Sequence, residues 1–399
     1  MQSFLDVNAM RAWLDARATA LTERDTVPLL AALGRVLAAD VVATLDVPPH
    51  DNSAMDGYAV RVAELGQPLP VSQRIPAGTV PRALADGSVA RIFTGAPLPP
   101  GADAVVMQEV CTVGDDGRVS VDAEVTLGQN IRRAGSDIAA GNVVAPAGKR
   151  LTPADLGLLA SIGIAEVDVI RPLRVAVFFT GDELAEPGEP LADGKIYNSN
   201  RYWLTPLLLQ LGCEVTDLGT VPDNFGATRE ALTDAADFAD IILTCGGVSV
   251  GEEDHVKAAV EAVGTLDLWK IAIKPGKPFA FGRVGAADFI GLPGNPVSGY
   301  VTFHVFVRRY LEQRQGLAEV REPSVIRLKA AFEWTRADAR REEYLRVKRV
   351  VENGETVLAR FANQNSGVLS SCAWADGLVR LAPGQTVAPG DWVDYLPFE

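Results

Sequence analysis

From Arg171 to about residue 313 the chain alternates between short apolar runs and amphipathic patterns, and no other feature restricts its fold as tightly. Strands are expected at 174–179, 214–218, 240–244, 267–273, 279–283 and 287–291, with helices near 199–211, 226–237, 254–263 and 296–313. Parallel strands cannot be joined by a tight turn, so helices between successive strands imply a largely parallel sheet covered on both faces. The expected fold class is therefore multidomain α/β, with a central doubly wound, mainly parallel sheet. In such sheets ligands bind beyond the carboxyl ends of the strands. TGDE (180–183), VPDN (221–224), TCGGVSVGEEDH (244–255) and GLPGNPVSG (291–299) all fall at those ends.

The glycine-rich ends carry the first chemical signal. Gly246, Gly247 and Ser249 lie in one loop, and Pro293 and Pro296 stiffen the loop that presents Asn295 and Ser298. Backbone N–H groups and a helix start aimed at one spot suit an anion. Between these loops come Lys270, Lys274 and Lys277, with no acid among them, in a chain of formal net charge −14. An island of positive potential is expected there, although KPGKP by itself would read as a surface turn. Acids stand at three strand ends: Asp182 and Glu183, then Asp223, then Glu252, Glu253 and Asp254. Carboxylates converging beside a phosphate site hold Mg²⁺, a hard cation that takes oxygen ligands. The competing reading is that they are helix caps.

The flanks have a different texture. At 399 residues the chain exceeds what one core fills. Residues 3 to 39 read as helices, with Ser3 as a cap for the first and Pro28 opening a second over LLAALGRVLAAD. Residues 45–140 are short β-rich runs between Pro and Gly turns, and 141–170 return as strand, capped helix and strand. Residues 322–399 are again strands and turns, a small β-barrel. The expected organisation is a helical linker domain from 1–44 plus 141–170, a β-rich insert at 45–140, the α/β domain at 171–321 and the barrel at 322–399. In the insert, Asp51 and Asp56 flank a DNSAMDG turn, and Thr94, Arg132, Arg133 and Asp137 lie in further loops. Each reads equally as a turn residue, a solvated charge or part of a site.

Several classes are disfavoured. With 51 acidic against 37 basic residues, a general nucleic-acid surface is not expected. The N-terminal MQSFLDVNAMRAWLDA is mixed-charge rather than a signal peptide, and no apolar run approaches ~18 residues. Cys111, Cys213, Cys245 and Cys372 form no CxxC pair and read as free thiols of a cytoplasmic protein. His50, His255 and His304 show no ligand spacing. GxSxG and GxGxxG are absent, which argues against a hydrolase triad and a dinucleotide fingerprint.

DNSAMDGYAV, RIFTGAPLPPGADAVVMQE, QNIRRAGSDI, TGDEL, GGVSVGEEDHV, IKPGKPFAFG and GLPGNPVSG, in this order, closely resemble the MoeA-type molybdopterin molybdenumtransferases, the family that includes the gephyrin E-domain. The resemblance runs along essentially the whole chain. It implies the same four domains and an elongated homodimer whose cleft joins the α/β domain of one subunit to the insert of the other. It implies that molybdate and adenylylated molybdopterin give molybdenum cofactor and AMP, with Mg²⁺. By matching motifs, the functional residues would be Asp56, Thr94, Asp137, Glu183, Asp223, Asp254 and Lys270, with Glu183, Asp223 and Asp254 as metal ligands. Lys274, Lys277, Ser298, Arg341 and Ser366 would bind molybdate, and Gly246, Gly247, Ser249, Pro293, Asn295 and Pro296 would contact the pterin substrate. Contacts with a molybdopterin adenylyltransferase and with molybdoenzymes are also implied. Two positions depart from the family pattern: Asn198, where Asp is frequent, and His255, where Tyr is common. The alternatives are an adenylyltransferase, which needs only the α/β domain, and a non-catalytic cofactor carrier or scaffold.

Overall fold

The computed structural model describes residues 5–247, 255–320 and 325–398. Strands Ile241–Cys245 and Ala287–Leu292 are buried at every position, the mark of a strand covered on both faces. They lie inside a six-stranded sheet ordered Glu214–Val221, Arg174–Thr180, Ile241–Cys245, Ala287–Leu292, Pro278–Val284, Gly264–Lys270. The first four run parallel, and the last two add an antiparallel edge. Period-two alternation sorts the side chains: Val175, Val177 and Phe179 join one core, and Ala176 and Phe178 join the other. Leu204, Leu208 and Val301 cover the first face, and Leu232, Ala259 and Val260 cover the second. Full burial of each such Leu, Val or Phe contributes about 1.5–3 kcal/mol.

Helices Ser199–Gln210 and Phe225–Ala236 and five of the six strands fall where the alternation predicts them. The last helical stretch is Pro296–Thr302 and Arg308–Arg314 joined through a π-turn at Phe303–Val307. Helix His255–Val263 begins at the first described residue after the glycine loop, so the expected start at Asp254 lies outside the described residues. The strand expected over 267–273 ends at Lys270. Ile273–Lys274 leaves the central sheet and pairs, parallel, with Glu342–Glu343 of the C-terminal part.

The N-terminal expectation needs correcting. One helix forms, Val7–Asp15, capped by Asp6, whose Oδ1 accepts the N–H groups of Asn8 and Ala9; the expected cap Ser3 lies outside the described residues. Its Val7, Met10 and Leu14 pack into the central core beside Ile271 and Tyr310. The helix expected over 28–39 is instead a strand, Arg24–Pro28, followed by a single 3-10 turn at Leu29–Ala32. That strand pairs with Glu166–Ile170, an alternative the helical spacing could not reveal. Leu29, Ala32, Val36 and Leu37 are buried while Leu30 and Leu33 are 89% and 54% exposed, so the apolar residues of this stretch do not share one packed helical face. Val41–Val42 pairs with Val143–Ala145, and helix Pro153–Ser161 starts on a Thr152–Asp155 capping box. The two stretches on either side of the insert thus share one core.

The insert is a six-stranded sheet ordered Ala104–Met107, Gly57–Val60, Val89–Ile92, Leu69–Ile75, Arg118–Val121, Cys111–Val113. The C-terminal strands Glu342–Glu352, Glu355–Arg360, Ile326–Ala330, Trp392–Pro397 and Gly377–Leu381 pair in that order, and the last pairs back to the first, closing a five-stranded barrel. No helix among the described residues is long and apolar enough to cross a membrane.

Candidate functional site

Four parallel strands end on the same edge, and there the chain opens a cleft of about 1020 Å³. Thr180 leads into Gly181 and Glu183, Val221 into Asp223, Cys245 into Gly246 and Gly247, and Leu292 into Pro293, Asn295 and Pro296. The opposite wall is Lys274 to Pro278 together with Arg341 and Gln364–Gly367 from the barrel. Two glycines are required by close approach. A Cβ on Gly247 (φ +63°) would overlap Val256, and one on Gly276 (φ +113°) would overlap Thr302 Oγ1. Ser298, 5% exposed, sits in the first turn of the helix after Pro296, and Val297 N–H donates to Ser366 O at 3.0 Å. That bond ties the barrel loop to the glycine-rich edge.

Of the residues singled out from sequence, Glu183, Asp223, Gly246, Gly247, Lys274, Lys277, Pro293, Asn295, Pro296, Ser298, Arg341 and Ser366 meet in this one cleft. Ser249 and Asp254 lie outside the described residues, as do Glu252 and Glu253. Lys270 ends its strand outside the cleft lining, where its carbonyl accepts Leu5 N–H at 2.9 Å. Asp56, Thr94 and Asp137 do not line the cleft of their own chain. Asp56 and Thr94 belong to a separate patch on the insert, where strand Asn52–Ser53 pairs with Ile131–Arg132 and Ser53 also bonds to Gly95 and Ala96, while Asp137 donates its N–H to Val47 O at 3.0 Å. There Asp56 Oδ1 accepts both the Thr94 N–H at 2.7 Å and its hydroxyl at 2.8 Å. Those bonds, the backbone one foremost, hold the Asp56 carboxyl below its ordinary range. Asp51 accepts from Ala134 N–H at 2.9 Å and pairs with Arg133 at 2.5 Å, so Arg133 acts as a loop tie.

The sequence island of cations is not free of acids in space. Lys274 Nζ stands 2.7 Å from Glu343 Oε1, a carboxylate only 2% exposed. Arg341 grips Asp338 through Nε at 2.9 Å and Nη2 at 2.6 Å. That bond is the leading reason the Asp338 carboxyl is held down to about 2. Neither Glu343 nor Asp338 stands out in the sequence: Glu343 reaches Lys274 from the distant C-terminal part, and Asp338 is one acid among many, beside the Arg341 it pairs with.

Among the described residues no group of three or more His, Cys, Asp or Glu side chains is arranged to hold a metal. The cleft does offer two carboxylates, Glu183 and Asp223, from different strand ends, a donor set of the right chemistry for a hard divalent ion. Asp223 Oδ1 accepts the Thr180 hydroxyl at 3.1 Å. Asn198, 1% exposed on the cleft wall, accepts Arg201 N–H at 3.3 Å, capping helix Ser199–Gln210, and donates to Thr220 Oγ1 at 3.2 Å and Glu186 Oε1 at 3.4 Å. An aspartate there would face Glu186 with like charge; the amide turns that contact into a hydrogen bond. Cys245 lies on the cleft floor, and burial pushes its thiol well above the ordinary range, so it offers no thiolate. Cys111, Cys213 and Cys372 are pushed up by burial to about 11, 12 and 11.

Comparison with known proteins gives a consistent picture. Residues 5–163 match the family model of the MoeA N-terminal region (domain I and II), 176–313 that of the probable molybdopterin binding domain and 327–398 that of the MoeA C-terminal region (domain IV). A molybdopterin molybdenumtransferase of Haemophilus influenzae is 41% identical over 381 residues, covering 94% of both chains. Molybdopterin molybdenumtransferase 2 of Mycobacterium tuberculosis is 42% identical over 315 residues, covering 75% of this chain and 77% of its own. The crystal structure of a molybdopterin biosynthesis MoeA protein from Pyrococcus horikoshii superposes with a TM-score of 0.83 at 28% identity, over 99% of this chain and all of that one.

Proposed function

The chain belongs to the MoeA family of molybdopterin molybdenumtransferases, and from that premise we infer that it inserts molybdenum into molybdopterin to form the molybdenum cofactor. The observation that carries the finer reading is the meeting of Lys274, Lys277, Ser298, Arg341 and Ser366 with Gly246, Gly247, Glu183 and Asp223 in one cleft. Molybdate is a tetrahedral dianion and leaves water only for several cations and hydroxyl or amide donors. The first five residues are that set. Gly246 and Gly247, together with Ser249 by family resemblance, let backbone N–H groups approach the pyrophosphate link of adenylylated molybdopterin, and Asn295 borders the same space. Pro293 and Pro296 keep that loop rigid.

Glu183 and Asp223, joined by Asp254 on the family pattern, are the groups we assign to Mg²⁺. Bound there, the ion would neutralise phosphate charge as AMP departs. The Thr180 hydroxyl donates to one oxygen of the Asp223 carboxylate and so restrains its rotation. Asp56, Thr94 and Asp137 are assigned to the same reaction from the insert of a second subunit, because the family pattern matches them and their own cleft includes none of them. The homodimer, the cytoplasmic setting, the role of Lys270, and contacts with an adenylyltransferase and with molybdoenzymes follow from the same reading, as do the four domains at the boundaries given above. The adenylyltransferase and carrier alternatives are not favoured, since relatives matching along almost the whole chain carry the transferase name.

The test is AMP release from adenylylated molybdopterin. Addition of molybdate should start release in the presence of Mg²⁺ and not in its absence. Release that ignores molybdate, or tight binding without release, would overturn the reading.

A further inference from the structure

The Lys274–Glu343 contact has a built setting. Ile273–Lys274 runs parallel to Glu342–Glu343, with Lys274 directly paired to Glu343 in register, so backbone hydrogen bonding sets the two side chains together. Glu343 Oε2 accepts Trp334 Nε1–H and Asp338 N–H, both at 2.9 Å. Oε1 is buried, receives no hydrogen bond of good geometry, and has the Lys274 ammonium at 2.7 Å as its cation. Asp338, held by its N–H to Glu343, uses its own carboxylate to clamp Arg341. One buried carboxylate in the barrel therefore stands behind two cations from two domains, both of which line the cleft.

We propose that Glu343 is a positioning residue for oxyanion binding, holding Lys274 directly and Arg341 through Asp338. The lysine side chain is 40% exposed and would otherwise sample many rotamers. Pairing the ammonium with a rigid carboxylate restricts it to a position on the cleft wall. The carboxylate also subtracts one unit of positive charge from the site, an opposing effect, and on this proposal orientation outweighs it. The proposal rests on the reading of the cleft as the molybdate pocket.

The experiment is calorimetric titration of the full-length protein with sodium molybdate. Glu343→Gln keeps the shape and the acceptor for Trp334 and Asp338 but removes the charge. It should weaken molybdate binding about tenfold, the size expected for groups in direct contact. Glu343→Asp should recover part of that loss. In a Lys274→Ala background, adding Glu343→Gln should change binding less than about twofold, because the partner is already gone. The same double variant should melt at a higher temperature than Lys274→Ala alone, since it removes a buried carboxylate that has lost its cation. Unchanged or tighter binding by Glu343→Gln, additive losses in the double variant, or no rise in its melting temperature would each overturn the proposal. Should the wild type bind no molybdate, the pocket reading fails on its own, and the melting comparison still decides whether Glu343 holds Lys274.

Discussion

A single side chain, Lys274, carries much of the predicted substrate preference, because it is a cleft cation fixed by a buried acid. Lys274→Ala should weaken molybdate binding about ten- to hundredfold, the value of a charge-assisted hydrogen bond, while adenylylated pterin still binds. Isothermal titration with each ligand checks this, and equal loss for both would assign the lysine to the pterin instead. Lys274, Lys277 and the glycines were legible in the sequence because KPGKP, by itself a surface turn, lies between two glycine-rich strand ends. Glu343 was not, since an acid in RREEYLR has no local sign of its partner. His304 offers a residue-scale test of a different kind. Burial, with the Arg308 cation as a lesser cause, lowers its imidazole to about 3 among Tyr300, Phe303 and Phe398. The folded pKa lies below the unfolded value, so the unfolded chain binds the extra proton. Stability should fall as pH drops from about 6.5 towards 3, with a slope approaching about 1.4 kcal/mol per pH unit from this group. Urea unfolding of His304→Gln across that window should show a flatter dependence; an unchanged slope would contradict the assignment.

At the scale of elements, the parallel strands and their helices were readable because continuous apolar runs and helical spacing describe residues buried on both faces. The stretch 28–39 was misread because its apolar spacing satisfied a helix, whereas the Arg24–Pro28 strand takes its backbone partners from Glu166–Ile170, far along the chain. Ile273–Lys274 shows the same limit: it has the composition of its neighbours, but register with Glu342–Glu343 places it in another sheet. The turn after it is built on one glycine. Gly276→Ala should cost about 1–3 kcal/mol through positive φ, and its overlap with Thr302 should push the lysine turn away from the helix carrying Ser298. Denaturant unfolding combined with molybdate titration would read both effects. A variant with wild-type stability would show that the turn tolerates the methyl group.

For the whole molecule, texture alone separated a β-rich insert, an α/β region and a terminal barrel, because strand spacing and turn density change sharply between them. What texture could not give is which domains face one another. The cleft joins the α/β edge to the barrel within one chain, and the Asp56–Thr94 patch lies outside it. If the insert of a second subunit completes the site, Asp56→Asn and Lys274→Ala proteins, each inactive, should restore activity when their subunits are mixed. Random exchange makes about half the dimers mixed, each with one intact site, so about a quarter of wild-type activity should return. No recovery, despite exchange shown by mass spectrometry, would confine the site to one chain.

The most direct measurement is anomalous diffraction at the molybdenum absorption edge from crystals soaked in molybdate. A peak enclosed by Lys274, Lys277, Ser298, Arg341 and Ser366 is the result this account requires. A well-occupied peak elsewhere, with that cleft empty, would contradict it.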